Sequence, residues 1–322
     1  MSASAQIVAS FEDLFSVQDL AELNDTAETH PETKNDIYQY IRQRRDKIVG
    51  VFLRNNVEEF WEELTAAHGL ISGSTALKLV LAEWTTGWTD AALDVYVPRN
   101  QKTSIIGFLA LSEYHVIKRG PDVYESLEDH AINDIVHLEK NGQKIFIIES
   151  ISDSAIAPVL RSHSTVAMNF FTAHACFCAY PKLSSSYRAT INYGHLLQTH
   201  VGGRDKLVHH WKEYEERGYR YDEVSARTVA SEWDVNVRIF EDGIYESKHT
   251  CKEDFDCPHT FRSTDDGGCL WMYLGGSADE LKKEHGSPLT DVLFWLLGGK
   301  PCGRNCYRTL YPFTSIRNIS LP

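Results

Sequence analysis

Residues 71–80 read ISGSTALKLV, and residues 91–98 read AALDVYVP. A Gly-Ser turn that opens a helix presents backbone N–H groups, a hydroxyl and the positive end of the helix dipole, a setting suited to a phosphate. A strand with carboxylates at i and i+2 points both to one face, about 6.6 Å apart at Cα for a rise near 3.3 Å per residue. Together such parts suit metal-assisted transfer of a phosphate-bearing group, in which cations bridge phosphate oxygens and neutralise developing charge. Mg²⁺ takes octahedral oxygen ligands, usually a few carboxylates plus the phosphates themselves. Gly73, Ser74 and Asp94 are therefore the residues with this chemistry to offer. Ala92 stands two positions before Asp94, where a second carboxylate would fall. Asp90 is four positions before it, about 13 Å away on a continuous strand, and only a bulge or turn at 90–92 would bring it back. The same residues also suit an ordinary helix N-cap and a carboxylate that pairs with a lysine or caps a turn.

Taken in order, Ile71-Ser72-Gly73-Ser74-Thr75-Ala76-Leu77 and Leu93-Asp94-Val95-Tyr96-Val97 resemble the nucleotidyltransferase superfamily. Its signature is a hydrophobic residue, Gly and Gly or Ser, a helix, and then a strand written Asp-hydrophobic-Asp/Glu-hydrophobic. Polymerase-β-like enzymes and poly(A) polymerases share it. The arrangement is similar in particular to uncharacterised fungal nucleotidyltransferase-like proteins, in which a Trp shortly precedes the acidic strand, as Trp88 does here. The resemblance is carried by 71–97, is weaker over 144–181 and is absent from the last 80 residues. It implies an α/β (α+β) fold with a mixed sheet and helices. It also implies a nucleoside triphosphate as partner and Mg²⁺ or Mn²⁺ as cofactor. Gly73 and Ser74 match the phosphate-binding turn, and Asp94 matches the second carboxylate of the strand pair. The family's third carboxylate lies on a following strand, where Glu149 is the first candidate and Asp153 the second. Arg161, His163 and Ser164 are further candidates to face the triphosphate. A catalytically degenerate member, acting as a binding or scaffold protein, is the alternative that Ala92 raises.

Several elements must position these residues. Ile37, Tyr40, Ile41, Ile48, Val51 and Phe52 recur at helical spacing, and VEEFWEELTAAHG reads as a second helix ending at glycine. Leu77, Val80, Leu81 and Trp84 give the helix after the Gly-Ser turn an apolar face at i, i+3, i+4 and i+7. TSIIGFLALSEYHVI reads as a helix entering a strand. AINDIVHLEKNGQKIFIIES reads as a hairpin about Asn141-Gly142. Cys176 and Cys178 alternate on a strand and read as core, and RDKLVHHWKEYEERG is an amphipathic helix stopped by Gly218. The organisation expected is an acidic leader over 1–33, a nucleotidyltransferase-like core over 34–182, and a helical, cysteine-containing region over 183–322.

The chain has 322 residues, 43% of them hydrophobic and 24% charged, as in a globular protein with a real core. Its 32 basic against 45 acidic residues give a net charge of −13, which disfavours a polynucleotide partner. The N-terminus lacks the basic and apolar regions of a secretory signal, and no apolar run reaches the roughly 20 residues that span a bilayer. Seven cysteines without a disulfide-scaffold pattern point to a reducing compartment, cytoplasmic or nuclear. Cys251, Cys257, His259 and Cys269 are the residue types of a structural Zn²⁺ site, with Cys302 and Cys306 nearby in sequence, although the spacing is not that of a standard finger. Buried small hydrophobes are the other reading of these cysteines.

Overall fold

The computed structural model describes residues 11–54, 56–89, 92–120, 131–192, 211–221, 255–258, 260–275 and 292–297. In chain order these form α1 Phe11–Ser16, α2 Leu20–Thr29, α3 Lys34–Leu53 and α4 Val57–Ala66, then β1 Leu70–Ser72 running directly into α5 Gly73–Val80. Next come β2 Ala92–Val97, α6 Lys102–Leu111, β3 His115–Arg119, β4 Ile132–Lys140 and β5 Gln143–Ser150. The rest are α7 Ile156–Leu160, β6 Asn169–Phe171, β7 Ala175–Cys178, α8 Pro181–Ser185, β8 Arg188–Ala189, β9 Arg220–Tyr221, β10 Arg262–Ser263, β11 Leu270–Tyr273 and β12 Phe294–Trp295.

Among the described residues, eight strands make one mixed sheet in the order β11-β7-β6-β1-β2-β5-β4-β3. Only β2 and β5 pair in parallel; the other neighbours are antiparallel. The β4–β5 hairpin turns on Asn141 (φ 51°) and Gly142 (φ 80°), as an Asn-Gly pair does best because both positions need positive φ. The mixed sheet with helices is the α+β architecture expected from the sequence.

Alternation along β2 and β5 sorts their side chains to two faces. Leu93, Val95, Val97, Ile145 and Ile147 join a core with Phe52, Phe60, Leu64, Ile105 and Leu109 of α3, α4 and α6. Leu70, Tyr96, Ile135 and Ile148 face the other way, into a core with α7, α8, Trp295 and its neighbours Leu293 and Leu297. Central parallel strands covered on both faces read as continuous apolar runs, as VYV and IFII do.

Several expected boundaries cross this arrangement. Phe15, Leu20 and Leu23, within the acidic 1–33 segment, belong to the same core as the sheet. Asp19 opens α2 with a reciprocal capping box to Glu22, so that segment is locally well specified. From the C-terminal region, β11 pairs with β7 and extends the same sheet. Arg262, fully buried, anchors this region through a bond from Nε to Asp266 (2.6 Å) and one from Nη2 to the Ala179 carbonyl (2.9 Å). Cys176 and Cys178 are core residues, and burial pushes both thiols up to about 12. Trp84 departs from expectation. The helix ends at Val80, so the i+7 position is lost and the indole is 71% exposed. No helix among the described residues is long and apolar enough to cross a membrane.

Candidate functional site

The strand β1 reaches Ser72 opposite Asp94, and the chain turns at once into α5. Gly73 makes that turn at φ +71°, a left-handed conformation that favours glycine. It is needed for space as well: a Cβ there would collide with Asp94 Oδ2 and lie 3.2 Å from Asp94 Cγ. The Asp94 carboxylate is thus seated on the backbone at the start of α5. Ser74 is the second residue of that helix, one later than the helix start itself.

Two bonds fix the turn. Ser72 does not cap the helix; its hydroxyl donates to the Asn169 carbonyl (2.6 Å) and ties β1 to β6. Thr75 Oγ1 donates to the Ala92 carbonyl (3.3 Å) and ties α5 to β2. At the other end of α5, the buried Arg44 bonds the carbonyls of Lys78 and Leu81 (2.6 Å to the latter), a cation at the negative end of the helix dipole. Burial is the main influence holding the Arg44 guanidinium below its ordinary basicity. The helix is buried on two sides, with Ala76, Leu79 and Val80 in one cluster and Leu77 in another.

Asp94 has Ala92 and Tyr96 as its same-face neighbours along β2, and Ser72 and Phe146 across the sheet. Glu149 is elsewhere. It pairs with Val97, three residues past the Asp94–Phe146 pair, and an odd offset puts it on the opposite face. There it is 2% exposed and fully engaged. Lys102 Nζ donates to Glu149 Oε2 (2.9 Å) and to Asp134 Oδ2 (2.6 Å), Asn133 Nδ2 donates to Oε2 (2.5 Å), and the Asn100 N–H donates to Oε1 (2.9 Å). Burial works to lower the Lys102 ammonium, but Asp134 and Glu149 together hold it above the usual lysine range. Gly73, Ser74 and Asp94 are brought together, and Glu149 is not.

The other candidates fall as follows. Ser164 is buried, its hydroxyl 3.0 Å from His163 Nδ1, and the His163 ring packs on Tyr214. Asp153 follows β5, and Asp90 lies outside the described residues. Cys257 is buried. Cys269 Sγ receives a bond from Arg262 Nη2 (3.3 Å) and donates to the Ser263 carbonyl (3.4 Å), with burial pushing its thiol up. Cys251, His259, Cys302 and Cys306 lie outside the described residues. Among the described residues no three His, Cys, Asp or Glu side chains are grouped to hold a metal ion.

Two residues that bear on these candidates were not singled out from the sequence. Lys102 is the cation that occupies Glu149. His137 lies across Phe146 from Asp94, its ring 4.7 Å from the Phe146 ring. Its signal was present: counting back from the Asn-Gly turn pairs 140 with 143 and hence 137 with 146. No family model matches the chain, and no curated protein or solved structure matches it.

Proposed function

We propose that the protein binds a nucleoside triphosphate at the Gly73–Ser74 turn beside Asp94 and is a catalytically degenerate relative of nucleotidyltransferases. The observation that carries the reading is the seating of the Asp94 carboxylate on Gly73 at the start of α5. That arrangement puts a helix N-terminus, a hydroxyl-bearing residue and a carboxylate within one turn of chain.

The donor set decides how much metal chemistry fits. Asp94 has Ala92, Ser72, Phe146 and Tyr96 as its same-face neighbours, so a pair of ions bridged by several carboxylates does not fit these residues. One Mg²⁺ carried in by the triphosphate would be compatible with these residues, with Asp94 and Ser74 to hold it and phosphate oxygens as its other ligands. Such an ion would supply charge neutralisation of the phosphates. The protein's own part is then to bind and orient the phosphates through the turn. Glu149, bonded to Lys102 on the other face, takes no part.

The test is turnover against binding. Purified protein with each nucleoside triphosphate and Mg²⁺ or Mn²⁺ is expected to bind and to leave the triphosphate intact. Ala92→Asp adds a carboxylate about 6.6 Å from Asp94 at Cα on the same face, and is expected to tighten binding of the metal–triphosphate complex. Rapid wild-type consumption of a triphosphate, abolished by Asp94→Asn, would replace the degenerate reading with an active transferase.

A further inference from the structure

The sheet face that carries Asp94 changes character along its strands. One cross-strand row reads Leu70–Tyr96–Ile148–Ile135 and is buried in the core beneath Trp295. The next row reads Ser72–Asp94–Phe146–His137–Lys118. The row beyond reads Ala92–Lys144–Glu139–His115. Two residues of travel therefore convert an apolar, covered face into one bearing Asp94, His137, Glu139, His115 and two lysines. Phe146, Asp94 and Lys118 in the middle row are half-buried, and Lys144 is exposed.

His137 is the anomaly in that row. It is 7% exposed, and its Nε2 has no hydrogen-bond partner. A buried polar atom left unpaired costs roughly 1–3 kcal/mol, and native structures rarely keep one without a use for it. Burial first, and then the charge of Lys118 and that of Lys144, hold the imidazole below its ordinary value, against a bond to the Gly120 backbone that raises it. With one ring nitrogen engaged by the Gly120 backbone, Nε2 becomes a donor when the ring takes up a proton, which a phosphate beside it would favour while the lysines supply further charge.

We propose that this half-face is an anion subsite, separated from Asp94 by the width of Phe146, in which His137 Nε2 and the Lys118 ammonium take a phosphate group. The naming of that phosphate as part of a nucleotide or its acceptor rests on the preceding functional reading; the anion chemistry does not. Lys144, one row away and exposed, adds long-range attraction.

The experiment is a long-range ¹H–¹⁵N spectrum of the histidine side chains of the full chain, with the His137 signals assigned by their loss in His137→Gln. Inorganic phosphate and then Mg-ATP are titrated into wild type, Lys118→Gln and Asp94→Asn. The expected result is a saturable shift of His137 Nε2 with phosphate, weakened about tenfold in Lys118→Gln, as for loss of one charged hydrogen bond. In Asp94→Asn the phosphate response is expected to persist. If Mg-ATP binds in an Asp94-dependent way while His137 stays silent to both ligands, the subsite is overturned and the nucleotide reading stands. If phosphate moves His137 but no triphosphate binds wild type, the subsite stands and the nucleotide reading fails. Silence of His137 in every titration overturns the subsite. A phosphate shift of equal affinity in wild type and Lys118→Gln overturns the Lys118 role.

Discussion

Asp94 and Glu149 sit on adjacent parallel strands, each an acid within an apolar run, and their environments are opposite. Asp94 rests on a glycine at a helix start, on a half-buried face beside Phe146. Glu149 is sealed on the other face, bonded to Lys102, Asn133 and Asn100. The difference comes from parity alone, because a three-residue register offset between paired strands reverses the face. Two carboxylates on neighbouring strands form one metal site only if their offset is even. This pair is odd, so the two acids lie on opposite faces, and in the proposed reading Asp94 alone serves the ligand while Glu149 holds the fold.

The largest effect is expected at Glu149. Glu149→Ala strands Lys102 with Asp134 alone and leaves Asn133 and the Asn100 N–H without their acceptor. Loss of about 3 kcal/mol is expected, at the lower end for a broken buried ion pair because Asp134 remains. Urea unfolding measures it, and a loss below about 0.5 kcal/mol, the usual range for a surface substitution, would show that the network is not structural.

Gly73→Ala strikes the other side. It forces a side chain into a left-handed conformation and against the Asp94 carboxylate. A stability loss of roughly 1–3 kcal/mol is expected, together with loss of triphosphate binding. The same unfolding measurement and a binding titration check both; retained binding would show that the turn does not hold phosphate.

A smaller effect sharpens the contrast through pH. His137 is held below its ordinary value by burial, so the folded state resists protonation that the unfolded chain accepts. Its contribution is therefore present above about pH 6.5 and is lost as pH falls from there toward the folded value. His137→Phe should flatten that part of the stability profile between pH 7.5 and 5, seen as a smaller shift in the denaturation midpoint than in wild type. An identical slope in the two proteins would show that His137 does not titrate with folding.

Much of the fold was legible where partners lie close in sequence. The Asn141-Gly142 turn specified the β4–β5 hairpin, and β1, α5 and β2 follow one another so directly that Gly73 and Asp94 had to meet. The Glu149 expectation needed the β2–β5 register, which is set across some fifty residues by packing on α6 and the hairpin rather than by any local signal. β11 joining β7 depends on still longer contacts. The buried Arg44 was illegible for another reason: it bonds the backbone carbonyls of Lys78 and Leu81, whose positions no residue type announces.

The most direct test is calorimetric titration of Mg-ATP into wild type, Asp94→Asn and Glu149→Gln under conditions where all three are folded. Asp94→Asn is expected to abolish binding while Glu149→Gln binds with the wild-type affinity, because of the two acids only Asp94 lies against the Gly73 turn. Loss of binding in Glu149→Gln with Asp94→Asn unaffected, or equal binding in all three, would contradict that expectation.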